Sequence, residues 1–145
     1  MPGNGNPGQA PSNAAYPGVP GIFPANAGQY GGFAMSVKVI ECKDYEEMSR
    51  VAAGLVADVM RARHDAVLGL ATGSTPVGMY RELARMNRAG EIDFSDVTTV
   101  NLDEYYPISP ENDQSYRYFM NENLFSHVNV DLSRTFVPDG AATDP

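Results

Sequence analysis

The sequence predicts an α/β, Rossmann-like fold: a mostly parallel, open sheet with helices packed on both faces. Short apolar runs alternate with longer stretches of helical periodicity, in the order β, α, β, α, β, loop, α, β. One run, from Ala66 to Ala71, is apolar throughout and contains a glycine, which is typical of strands buried on both faces of a parallel sheet. Alternation of this kind favours parallel strands joined by right-handed crossovers.

Two segments of different composition make up the chain. Residues 1 to 35 contain no Asp, Glu, Lys or Arg, and they hold eight of the 14 glycines and six of the 11 prolines. Such a segment cannot bury enough apolar surface to offset its ordering entropy, so we expect a disordered tail or a start assigned upstream of Met35. Residues 36 to 145 are expected to form one folded domain with a single core.

Charge and cysteine content restrict the partners and the compartment. The net charge is -8, and the 10 Lys and Arg residues are dispersed among carboxylates, so we expect no nucleic-acid or membrane partner. The sequence has no apolar run long enough to span a bilayer and no signal peptide. Its one cysteine, Cys42, cannot form an intrachain disulfide, which favours a soluble protein in a reducing cytoplasm.

The first strand is predicted from Val37 to Cys42, a short apolar run with β-branched residues. Asp44 stands three residues ahead of Glu47, the spacing of an N-capping pair, so a helix is expected to follow. Apolar residues then recur at steps of three and four, which predicts one buried face. These residues are Tyr45, Met48, Val51, Ala52, Leu55, Val56 and Val59.

A second helix is predicted after the strand from Ala66 to Ala71. Thr75 can cap it, Pro76 suits its first position, and Gly90 suits its C-terminal stop. The residues expected to face the sheet are Val77, Tyr80, Leu83 and Ala84.

Two further strands and one helix complete the prediction. Residues 96 to 102 predict a third strand, and residues 134 to 137 predict the start of another. Between them, Ser115 can cap a third helix. Its apolar residues are Tyr116, Phe119, Met120 and Leu124.

The turn from Ala71 to Pro76 is the first place where a ligand could bind. Gly73 allows close approach to the backbone, hydroxyl groups follow it, and the next helix offers unpaired amides and partial positive charge, which suits a phosphate. The spacing matches neither a nucleotide P-loop nor a dinucleotide fingerprint. The alternative interpretation is an ordinary tight turn with a threonine cap.

The second place is the segment from Asn101 to Tyr105, which follows the third strand. Both turns fall beyond the carboxyl ends of strands, so they can share a pocket. A carboxylate held there can act as a general base, although a solvated acidic loop is the commoner fate of an Asp-Glu pair. Neither His64 nor His127 has neighbours spaced as metal ligands, and Ser74 does not lie in a nucleophile elbow.

Three linked motifs together resemble the glucosamine-6-phosphate deaminase family. They are Leu68 to Pro76 with Met79 and Tyr80, Val97 to Tyr105, and Gln114 to Phe125. The resemblance implies a Rossmann-like fold and a reaction without cofactor or metal. In that reaction glucosamine 6-phosphate opens its ring, isomerises from aldose to ketose and, with water, gives fructose 6-phosphate and ammonia.

The resemblance also implies roles for particular residues. Asp103 corresponds to the base that moves a proton between carbons 1 and 2, and the turn of Thr72, Gly73, Ser74 and Thr75 corresponds to part of the phosphate site. Glu104 and Tyr105 are expected to support Asp103 by orienting it or packing the rim. The helical spacing of Tyr116 favours a core position over the border of the pocket.

The family carries further residues that the chain lacks: an Asp-Gly-His segment, a later Glu for ring opening, and basic residues that clamp the phosphate. We therefore expect a domain truncated on its C-terminal side, with an incomplete catalytic set and little activity alone. Whether the parent enzyme is a homo-oligomer, and whether it prefers glucosamine or galactosamine 6-phosphate, stays open.

Two alternatives remain. One is a hydrolase like 6-phosphogluconolactonase, whose acidic motif typically continues with Arg where this chain has Tyr105. The other is a non-catalytic module that senses sugar phosphates, although no helix-turn-helix segment precedes the domain.

Overall fold

The computed structural model describes residues 39 to 143. The predicted tail of residues 1 to 35, and the first two residues of the predicted strand from Val37, lie outside this range. The described helices are α1 (Tyr45–Ala62), α2 (Val77–Arg88) and α3 (Tyr116–Asn123), and the strands are β1 (Val67–Leu70), β2 (Thr98–Asn101) and β3 (Thr135–Phe136). No helix in this part of the chain is both long and apolar enough to cross a membrane.

The three strands form one parallel sheet in the order β1-β2-β3. Leu70 pairs with Asn101, so β1 and β2 end level with each other. The predicted parallel α/β architecture is therefore confirmed, although each strand is shorter than its apolar run. The level strand ends place the turns that follow them at one edge of the sheet.

The prediction of a strand from Val37 to Cys42 is wrong for the part of this segment that the structure describes. Ile40, Glu41 and Cys42 have no strand structure and make no ladder with β1. A β-branched run becomes a strand only when a neighbour accepts its backbone hydrogen bonds. Within residues 39 to 143, the outer edge of β1 has no such neighbour.

Only one face of the sheet is covered by the described residues. Leu68, Leu70 and Thr99 are buried, whereas Val67 on the opposite face is 67% exposed and Phe136 is 55% exposed. The prediction that the Ala66–Ala71 strand is buried on both faces is therefore wrong for this part of the chain. Side chains from all three helices join a single core with Leu68 and Leu70, and this core lies on one side of the sheet.

α1 buries a different face from the one its apolar stripe predicted. Its buried residues include Ser49, Ala53, Ala57 and Met60, whereas the larger stripe residues are half-buried or exposed. The reason is close packing against α2, because a Cβ atom on Gly78 would lie 2.9 Å from the Cβ of Ser49. Small side chains are needed at this contact, so the larger apolar residues lie on its flanks.

The predicted helix ends are largely confirmed. The Asp44 carboxylate accepts a hydrogen bond from the Glu47 amide at 2.7 Å, and the Ser115 hydroxyl accepts one from the Tyr118 amide at 3.0 Å. Gly90 follows α2 with a φ of 72°, the left-handed conformation that favours glycine after a helix. These local contacts fix where the helices begin and end.

Tyr80 connects the core to the turn after β1. Its side chain is fully buried, and its hydroxyl donates to the Ala71 carbonyl at 2.6 Å and accepts from the Ala71 amide at 3.1 Å. Burial raises the pKa of Tyr80 from 10.0 to about 12, and the hydrogen bond with Ala71 opposes part of that rise. The hydroxyl therefore replaces the strand partners that Ala71 lacks.

Gly78→Ala should destabilise the protein, because the new Cβ would lie 2.8 Å from a ring carbon of Tyr45. Overpacking of this kind costs about 1–3 kcal/mol, more than the gain in helix propensity. Gly69→Ala is the matched control, since no atom lies within 4 Å of its added Cβ. Urea denaturation measures both variants, and equal free energies of unfolding would contradict the close contact.

Tyr80→Phe should lower the free energy of unfolding by about 1–3 kcal/mol at neutral pH, because both polar groups of Ala71 lose their partner. The pH dependence provides a second readout. The folded-state pKa of about 12 lies above the ordinary value of 10.0, so folding favours the protonated phenol. This stability is complete below about pH 10 and is lost as the pH rises through about 12. As the pH is raised, the free energy of unfolding should therefore fall less for Tyr80→Phe than for the wild type. Equal falls in the two proteins would refute this role of Tyr80.

Candidate functional site

The two predicted ligand-binding turns begin side by side. The Asn101 side-chain amide donates to the Leu70 carbonyl at 3.0 Å and so joins the last residues of β1 and β2. We call residues 72 to 75 the phosphate turn and residues 102 to 105 the acidic turn. Their shared origin on one edge of the sheet is the arrangement that the sequence predicted.

Thr75 does not cap α2, so that prediction is wrong. The N-cap is Pro76, no side chain caps it, and the first helical residue is Val77. The Gly78 amide in the first turn instead donates to the Tyr45 hydroxyl at 2.8 Å. The side chain of Thr75 is exposed.

The phosphate turn presents unused amide groups. Gly73 has a φ of 96°, a left-handed conformation that explains glycine at this position. Within the described part of the chain, the amides of Gly73, Ser74 and Thr75 make no hydrogen bond. Free amides ahead of a helix N-terminus attract anions, so the turn suits the phosphate that the sequence predicted.

Asp103 and Glu104 have different environments although they are adjacent. Asp103 is exposed, and its carboxylate makes no hydrogen bond to any residue between 39 and 143. The Glu104 carboxylate accepts from the Tyr116 amide at 2.8 Å and from the Arg117 amide at 3.0 Å. Glu104 thus binds the N-terminus of α3, and the described residues leave the Asp103 carboxylate without a hydrogen-bond partner.

The contact with Glu104 is part of a larger hydrogen-bonded connection. One oxygen of Glu104 also accepts from the Tyr105 amide at 2.9 Å. Arg117 donates to the hydroxyl of Thr135 at 2.8 Å and to its carbonyl at 2.9 Å, which ties α3 to β3. Burial lowers the pKa of Arg117, and the charge of Glu104 opposes this shift. The acidic turn is therefore attached to both α3 and β3.

Tyr116 lies at the edge of the site, so the prediction that it belongs to the core is wrong. Its ring centroid is 4.8 Å from that of Tyr105, and it is only partly buried. The neighbouring Tyr105 hydroxyl is the main cause of the raised pKa of Tyr116, to which desolvation and the charge of Asp103 also contribute, while the Thr72 hydroxyl lowers it. Tyr116 thus packs against the acidic turn, at the end of α3 whose amides Glu104 accepts from.

Other parts of the described chain offer less chemistry. A cavity of about 300 Å³ is lined by Glu104, Arg117, Gly140 and four neighbouring residues, but by no residue of the phosphate turn. Among residues 39 to 143, no group of three or more His, Cys, Asp or Glu side chains could hold a metal ion. The candidate site therefore consists of the two turns and Tyr116.

Comparison with known proteins gives three related findings. The deaminase from Clostridium perfringens is 58% identical over 106 residues, which cover 73% of this chain and 44% of that protein. A solved monomeric glucosamine-6-phosphate deaminase has a TM-score of 0.73 and 47% identity, over 74% of this chain and 45% of that one. The 6-phosphogluconolactonase of Leishmania guyanensis has a TM-score of 0.52 and 25% identity, over 68% and 37%.

The chain spans about 44% of the length of the curated relative from Clostridium perfringens. A profile of the family described as glucosamine-6-phosphate isomerases/6-phosphogluconolactonase matches residues 44 to 145, which include both turns and all the described helices and strands. The chain therefore belongs to this family of sugar-phosphate enzymes.

Proposed function

We propose that this chain takes part in amino-sugar phosphate catabolism, in the conversion of glucosamine 6-phosphate and water to fructose 6-phosphate and ammonia. The observation that carries the proposal is the free carboxylate of Asp103 beside a phosphate turn with unused amides. The 58% identity to the deaminase of Clostridium perfringens supports the choice of substrate. The single cysteine supports a cytoplasmic location.

In the proposed reaction, the phosphate turn holds the substrate by its phosphate, through the amides of Gly73, Ser74 and Thr75. Asp103 takes the proton from carbon 2 of the open-chain aldose and returns it to carbon 1. Carbon 1 is thereby reduced from an aldehyde to an alcohol, and carbon 2 is oxidised in its place. Water then adds to carbon 2 and ammonia leaves, which gives the ketose. No electron acceptor or metal is needed to balance these steps.

Glu104 and Tyr105 have supporting roles in the proposal. Glu104 holds the acidic turn against α3, so the position of Asp103 depends on a helix and not on a mobile loop. Tyr105 packs against Tyr116, with the ring centroids 4.8 Å apart. We add Tyr116 to the site as a residue that packs against the acidic turn.

The alternative activity is lactone hydrolysis, which is favoured by the structural similarity to the Leishmania guyanensis 6-phosphogluconolactonase. Both the TM-score and the identity are higher for the deaminase structure, at 0.73 and 47% against 0.52 and 25%. The Tyr105 that follows Glu104 also departs from the lactonase pattern. We therefore prefer the deaminase activity.

The 145-residue chain alone should have little deaminase activity, because it spans 44% of the length of its Clostridium perfringens relative. A chimera tests the chemistry directly: residues 44 to 143 replace the matching segment of that enzyme. The chimera should release ammonia from glucosamine 6-phosphate and should not hydrolyse 6-phosphogluconolactone. The reverse result would favour the lactonase.

Asp103→Asn in the chimera should lower kcat by about 10²–10⁴-fold, because the amide cannot accept the proton. Asp65→Asn is the matched control, since Asp65 precedes β1 at the other end of the strands and forms only an exposed ion pair with Arg63. Ammonia release over a range of substrate concentrations separates kcat from KM. A variant that keeps half of the wild-type kcat would exclude Asp103 as the base.

Glu104→Ala should loosen the first turn of α3, because the amides of Tyr116 and Arg117 lose their acceptor. We expect a loss of about 1–2 kcal/mol in unfolding free energy, as for removal of a helix cap, together with faster hydrogen exchange at these two amides and a lower kcat in the chimera. Glu122→Ala, at an exposed position late in α3, is the control. Unchanged exchange at both amides would show that Glu104 does not hold the helix.

A further inference from the structure

Tyr45, the first residue of α1, contacts the phosphate turn through its hydroxyl group. The hydroxyl accepts a hydrogen bond from the Gly78 amide at 2.8 Å. It lies within donating distance of two carbonyl oxygens, those of Ser74 at 3.0 Å and Thr75 at 3.2 Å. These residues are 29 to 33 positions away in the sequence, so only the packing of α1 on α2 creates the contact.

The position of the hydroxyl is fixed by the packing of the tyrosine ring. A Cβ atom on Gly78 would lie 2.8 Å from a ring carbon of Tyr45, so the absence of that atom allows the ring to lie on the first turn of α2. The backbone of Tyr45 is held in the first turn of α1, which the side chain of Asp44 caps immediately before it. The backbone of Tyr45 is therefore anchored in α1 and its ring against α2.

The contact with the Ser74 carbonyl determines where the Thr75 amide points. The carbonyl of Ser74 and the amide of Thr75 belong to one planar peptide unit, in which a trans bond directs the C=O and N–H groups to opposite sides. Because Tyr45 holds the carbonyl, the N–H of Thr75 is directed away from α1. The next peptide unit, between Thr75 and Pro76, has no N–H group and offers only its carbonyl.

We propose that Tyr45 is a positioning residue for the phosphate turn: its hydroxyl fixes the Ser74–Thr75 peptide so that the Thr75 amide is available to a phosphate oxygen. The proposal rests on the proposed function of this turn. Tyr45 does not touch the substrate, because protein groups occupy its hydroxyl. Its contribution is preorganisation, since a peptide already held in place need not be ordered when the ligand binds.

Tyr45→Phe in the 145-residue chain tests this role, because it removes the hydroxyl and keeps the ring. We expect affinity for glucosamine 6-phosphate and for inorganic phosphate to fall about five- to tenfold, the equivalent of one hydrogen bond. The amide signals of Gly73, Ser74 and Thr75 in NMR titrations give the affinity at the turn. Hydrogen exchange of the Gly78 amide should become faster in the same variant.

Two control variants separate positioning from stability. Tyr118→Phe removes an exposed hydroxyl that makes no hydrogen bond within residues 39 to 143, so affinity should stay within twofold of wild type. Val59→Ala removes apolar contacts from α1 far from the turn, so it lowers stability without touching the Ser74–Thr75 peptide. If positioning is the role of Tyr45, Val59→Ala should bind both ligands as the wild type does.

The outcomes are distinguishable. If the wild type binds the ligands and the affinity of Tyr45→Phe is within twofold of it, the proposal is overturned. The phosphate role of the turn would then stand. If neither ligand changes the amide signals of the turn in the wild type, the phosphate role is refuted. The positioning role of Tyr45 is then refuted as well. A Tyr45→Phe chain that loses its dispersed amide signals would also overturn the proposal, because Tyr45 would then be required for folding.

Discussion

Parallel pairing of β1 with β2, level to their last residues, is the constraint on which the site depends. Leu70 and Asn101 are paired, and the Asn101 side chain adds a second connection between the strand ends. Both turns therefore leave the sheet at the same height and on the same edge. A shift of two residues in this register would preserve the facing of the side chains but move one turn about 7 Å from the other.

Hydrogen bonds between side chains and backbone groups then hold both turns in place. Tyr80 holds both polar groups of Ala71, and Tyr45 holds the carbonyl side of the phosphate turn. On the acidic turn, Glu104 binds two amides of α3. This division of work leaves Asp103 and the amides ahead of α2 without protein partners in the described residues, and groups in that state are available for a substrate.

The sheet also presents an apolar face that the described residues leave largely exposed. Gly69, Val100 and Phe136 are neighbours across the three strands, and Val67 lies on the same face. Parallel sheets normally have both faces covered, since each side chain of this size gains about 1.5–3 kcal/mol on full burial. The described residues therefore obtain their stability from one layer of helices and one core.

Features that depend on local chemistry could be predicted from the sequence. The alternation of apolar runs predicted the parallel α/β fold, Asp44 and Ser115 predicted their own caps, and the order of the motifs predicted that the two turns share an edge. Which faces are buried, and which polar groups form hydrogen bonds, became known only from the three-dimensional packing. Those outcomes depend on contacts between distant residues: the close approach at Gly78 selected the buried face of α1, and the contact between Tyr45 and Ser74 crosses 29 positions. No periodicity within one segment carries such information, because each partner lies in another element.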